Sequence, residues 1–127
     1  MSDPSYAIQK AVYDALIAAG AANSRVYHRV PDGAPLPYVH IGQDQIFAAY
    51  EAGEFSECHV VVHGFAETMP GLKLLVGTIR DALDKPLTLV GFDCHEATYE
   101  STRYMTDSSG LTEHAVVEFV YMVQPKP

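Results

Sequence analysis

The sequence predicts an α+β fold: a single domain over residues 1–127, with two α-helices packed on a mostly antiparallel or mixed β-sheet. Three observations carry this expectation. Two segments repeat apolar residues at i, i+3 and i+4, several others alternate with a period of two, and prolines, glycines and small polar residues fall between them. A chain of 127 residues suits one domain, burying roughly two-thirds of its unfolded surface.

The first helix is expected over Tyr6 to Ala19, where Ala7, Ile8, Ala11, Val12, Ala15, Leu16 and Ala19 form one apolar stripe. Ser5 or Asp3 can cap its start, and Gly20 can end it. A second stripe, Leu72, Leu75, Val76, Ile79, Ala82 and Leu83, predicts a helix from about Pro70 to Asp84. Pro70 fits a first turn, and Pro86 blocks continuation.

Strands are expected at Val26–Val30, Tyr38–Gly42, Ser56–Phe65, Leu87–Phe92, Asp93–Met105 and Glu113–Gln124. The last carries apolar residues on both faces (Ala115, Val117, Phe119, Tyr121 and Val123 against Val116, Val120 and Met122), as a central strand does. Asp93–Met105 alternates with Glu96, Thr98, Glu100 and Thr102, the pattern of a sheet with one wet face. Asp107-Ser108-Ser109-Gly110 supplies a hairpin connection between these two. Gln43 to Phe55 shows the least pattern and reads as a loop carrying Ile46, Phe47, Tyr50 and Phe55. Its aromatics can fold back on the domain or bury against another subunit.

Composition narrows the function classes. Hydrophobic residues make up 48% and charged residues 19%, as in ordinary globular domains. The net charge is −8, and the basic residues are scattered, which argues against a surface that grips a DNA duplex. An acidic protein can still surround DNA without holding it; the same charge also serves solubility alone. No apolar run approaches the ~20 residues of a membrane helix. Met1 to Ser5 has no basic stretch ahead of an apolar one, so a cytosolic product without a signal peptide is expected. Cys58 and Cys94 are then expected to stay reduced.

Chemistry-bearing patterns are sparse. His59 and His63 are four apart on an apparent strand, about 13 Å at ~3.3 Å per residue, too far to share one zinc. His40 or His114 could complete a site across strands, but no spacing requires it. Cys94 and His95 are adjacent and should face opposite ways on a strand. No nucleophile elbow, phosphate loop or dinucleotide fingerprint occurs. No catalytic residue, cofactor site or metal ligand set is therefore assigned.

The most informative stretch is Ser24-Arg25-Val26-Tyr27 followed by Pro31-Asp32-Gly33-Ala34-Pro35-Leu36-Pro37-Tyr38-Val39. Its three prolines lack amide donors and exclude a helix or a central strand. Asp32-Gly33 is a turn dipeptide, and residues before proline are held extended, which leads Tyr38 into a strand. In order, the helix ending at Gly20, this "SRVY" strand, the proline turn and the later Thr78-Ile79-Arg80-Asp81-Ala82-Leu83 ahead of Leu87-Thr88-Leu89-Val90-Gly91 resemble the tail-terminator, or tail-completion, proteins of long-tailed phages and gene transfer agents.

That resemblance implies a structural virion protein made in the host bacterial cytoplasm, without cofactor. Family members form a six-fold ring that caps the tail tube, stops tube polymerisation and joins the head. The implied partners are other copies of the chain, the major tail tube protein and a head-completion or connector protein. DNA would pass through the channel without sequence-specific binding, and no membrane is involved. Candidate subunit or partner contacts are Phe47, Tyr50 and Phe55 of the unpatterned stretch, and Tyr104 and Asp107 at the hairpin. The alternatives are another neck or head-completion connector, or a small metal- or ligand-binding domain using His40, His59 or His63.

Overall fold

A mixed sheet with both helices on one face organises the computed structural model, which describes residues 3–49 and 55–127. In chain order the elements are α1 (Ser5–Ala18), β1 (Val26–Tyr27), β2 (Tyr38–Ile41), β3 (Gln45–Ala49), β4 (Phe55–Ala66), α2 (Met69–Leu83), β5 (Phe92–Thr106) and β6 (Glu113–Pro125). The sheet order is β1-β2-β4-β6-β5, with β3 also paired to β4. Among the described residues only β1 and β2 run parallel; every other pairing is antiparallel.

The helical stripes bury as their spacing requires. Ile8, Ala11, Val12 and Leu16 of α1 are buried, while Ala19 lies past the helix end and is exposed. Pro4 occupies the capping position, and Asp3 acts one residue earlier, its carboxylate accepting the Ser5 amide at 2.9 Å. Gly20 ends the helix at φ +69°, and the chain is left-handed again at Ala22, Asn23 and Ser24. All six residues of the second stripe are buried in α2. Thr68 Oγ1 accepts the Gly71 amide at 3.1 Å and so satisfies a donor of the first turn.

The long antiparallel partners β4 and β6 align Ser56–Ala66 with Glu113–Val123. One face carries Cys58, Val60 and Val62 beside Val117, Phe119, Tyr121 and Val123, all buried beneath the helices. Gly64 lets α2 approach closely: a Cβ there would lie 3.3 Å from Leu75 Cδ2. Tyr121 ties the layers together, its hydroxyl donating to the Leu83 carbonyl at 2.6 Å. The opposite face presents Glu57, His59, Val61, His63 and Phe65 beside His114, Val116, Val120 and Met122, all half-buried, and among the described residues no helix crosses it.

Three sequence expectations need correction. Gln43 to Phe55 is not loop throughout, because Gln45–Ala49 forms β3 against Phe55–His59. The strand expected at Leu87–Phe92 does not form before Phe92, which opens β5 opposite Pro125; Leu87 and Leu89 alternate into the core, but among the described residues 87–91 have no ladder partner, and the chain turns at Gly91, φ +82°. The expected strand at Val26–Val30 stops at Tyr27, since His28 leaves the sheet to stack on Tyr13 of α1, ring centroids 5.4 Å apart.

Candidate assembly interface

The proline-rich connection is a built unit rather than a slack loop. Arg25 donates from Nε to the Pro37 carbonyl at 2.9 Å and from Nη2 to the Leu36 carbonyl at 3.3 Å. The Val39 amide bonds back to the Arg25 carbonyl at 2.8 Å, closing the parallel pair. Gly33 turns the chain at φ +72°, and the Leu36–Pro37 peptide is cis. Tyr38 then stacks on Phe65 at 4.8 Å. One arginine therefore joins the "SRVY" strand to the turn that follows it.

The residues singled out in the sequence fall into two groups at opposite ends of the sheet. Phe47 on β3 is 44% exposed and packs edge-on to His59, ring centroids 4.9 Å apart. His59 in turn meets the Glu57 carboxylate at 2.7 Å. Phe55 opens β4 and lies against His95 at 5.4 Å. Tyr50 lies outside the described residues. The second group belongs to the β5–β6 hairpin. Tyr104 is exposed on the helix side of β5, with Lys73 Nζ 5.3 Å from its ring centre. Asp107 shapes the hairpin tip, where its carboxylate accepts the Ser109 amide at 3.0 Å and the Ser109 hydroxyl. Those bonds to the charged form hold its carboxyl below the usual value.

The sequence reading missed further surface features. Leu74 on α2, Val90 before β5 and Leu111 at the hairpin tip are all about three-quarters exposed or more (77%, 83% and 76%). An open groove of about 610 Å³ runs between α1 and the strand-like segment before β5, lined by Tyr6, Ala7, Ala11, Val90 and Phe92. Among the described residues β5 pairs only with β6, which leaves its outer edge free along Phe92–Thr106. Helical and strand periodicities locate buried positions, so they are silent about which exposed apolar residues matter.

Among the described residues no group of three or more His, Cys, Asp or Glu side chains is arranged to hold a metal ion. Cys94 Sγ reaches the Glu96 carbonyl, whereas His95 turns to Gln124 on the other face. The arrangement offers exposed apolar residues, a pinned turn and, among the described residues, an unpaired β5 edge.

Residues 7–124 match the family model described as tail completion protein gp17. The chain belongs to that family. It is a structural protein of phage-type tails, and its place is the tail region of the virion. No curated protein matches it. Among solved structures, a chain in "Virion of native gene transfer agent (GTA) particle" shares its fold, with a TM-score of 0.81 at 22% identity over 94% of this chain and 96% of that one. The tail completion match runs from the first turn of α1 to near the end of β6, and includes the Arg25-pinned turn.

Proposed function

We propose that copies of this tail completion protein close into a ring, six-fold as the family resemblance implies, that caps the tail tube. One rim would meet the last ring of tube protein and end polymerisation; the other would meet the head-completion or connector protein. Function on this reading is association alone, with no bond made or broken and no catalytic residue. The observation that carries it is family membership over residues 7–124.

The geometry supports a head-to-tail contact. The sheet ends in two unlike edges, the long β5 on one side and the short β1 and β3 on the other. Unlike surfaces meeting around an axis give a heterologous interface, which closes into a ring when the rotation closes. The net charge of −8 suits a channel that DNA traverses without being held, because like charge repels the phosphates. Phe47 and Phe55 at one end of the sheet, Tyr104 and Asp107 at the other, and Tyr50, which lies outside the described residues, are the proposed contact residues.

The test replaces Phe47 and Tyr50 together by Ser and follows mass by light scattering as the chain is mixed with tube protein. Loss of the assembled species, with an unchanged circular dichroism spectrum, is the expected result. Unchanged assembly and unchanged particle yield would remove this end of the sheet from the interface.

A further inference from the structure

On the face of the sheet that no described helix covers, three histidines line up across three strands. His40 of β2 lies opposite His63 of β4, and His63 is followed across the sheet by the β6 residues Val116 and His114. The rings of His40 and His63 stack with centroids 5.5 Å apart, and those of His63 and His114 at 5.1 Å. His63 Nδ1 and His114 Nε2 are 2.9 Å apart, a hydrogen bond that needs one protonated and one bare nitrogen. The row continues into aromatics, with His114 on Phe65 at 4.3 Å and Phe65 on Tyr38 at 4.8 Å. Gly42 makes room for it, since a Cβ there would lie 2.9 Å from His63 Nε2.

We propose that the hydrogen-bonded His63–His114 pair, on which His40 stacks, is a proton-responsive device: neutral, it holds β4 and β6 together with the β2 ring of His40 in one stacked arrangement, and charged, it loosens that end of the sheet. One proton can be shared across the His63–His114 bond. A second forces two N–H groups to face each other, which abolishes the bond and sets like charges about 5 Å apart. The surroundings do not offset this. His63 faces His114 and His40, and His114 faces His40 and Arg103 of β5, all neutral or positive. Of the carboxylates on this side, Glu118 of β6 bonds Ser101 and Glu57 of β4 bonds His59, while Asp44 sits beyond β2 in a shallow pocket shared with His28 and His40. The His40 ring is itself engaged with the His28 carbonyl at 3.1 Å.

Burial first, and then the neighbouring cations, hold His63 and His114 below the ordinary histidine value of 6.5. In the window between that value and the lowered ones the unfolded chain binds more protons than the folded chain. The contribution of the row to stability is therefore complete above 6.5 and is lost as pH falls through the lowered values.

The experiment compares urea unfolding of the full chain at about pH 7.5 and about pH 5.5 with that of a His63→Gln/His114→Gln variant. The expected result is a midpoint that drops on acidification in the parent chain and drops less in the variant. An equal drop in both would overturn the device. Proton NMR titration of the parent chain gives an independent reading that does not depend on the variant folding. Coupled, two-step curves with midpoints below 6.5 for His63 and His114 are expected; two independent titrations at 6.5 would also overturn it.

Discussion

At the scale of single residues, burial sorts side chains that look alike in the sequence. Cys58 is fully buried in β4, and desolvation pushes its thiol up to about 12, whereas Cys94 is half-buried at the start of β5 with a thiol also raised by burial. Because the thiolate is the reactive form, a thiol reagent near neutral pH should label Cys94 first and Cys58 only after denaturation. Peptide mapping checks this, and equal labelling of both in the native chain would contradict it. Tyr121 and Tyr99 form a second such pair. Tyr121→Phe leaves the Leu83 carbonyl without its buried donor and should cost about 1–3 kcal/mol in urea unfolding. Tyr99→Phe removes a hydroxyl that only meets Thr102 in a half-buried site, and should cost clearly less.

At the scale of elements, local chemistry decides where helices begin and how closely they pack. Thr68→Ala removes the acceptor for the Gly71 amide and should lower stability by about 1 kcal/mol, read as a shift in the thermal midpoint. Gly64→Val pushes branched atoms into Leu75 and Leu72 of α2 and should cost about 1–3 kcal/mol by the same measurement. The helices were legible because both stripes are long and face one core; α2 keeps all six predicted positions buried. The central strands were legible for the same reason, with period-two burial through Cys58, Val60 and Val62. β3 was not, because Gln45–Ala49 sits at an edge where only Ile46 packs against the core and alternation is weak. Leu87 and Leu89 misled in the opposite sense: they alternate into the core without a pairing strand, and periodicity cannot distinguish the two cases.

At the scale of the whole molecule, the fold and the family were readable from ordered motifs. Arg25 explains why the motif is informative: one side chain must reach two carbonyls across the proline turn, so strand and turn occur together. Exposed apolar residues lack such internal constraint, since the burial periodicity that reveals helices and strands does not mark exposed positions such as Leu74 and Leu111. The β5 edge, unpaired among the described residues, is a further feature at this scale, because unpaired backbone groups can extend a neighbour's sheet. On the ring account, each copy would present this edge to the opposite flank of the next.

The most direct measurement is negative-stain imaging of particles assembled with and without this chain in the strain that makes them. The ring account predicts overlong tubes or tails detached from heads when the chain is missing, with normal particles restored by the intact gene. Tails of regular length, firmly attached to heads in its absence, would contradict it.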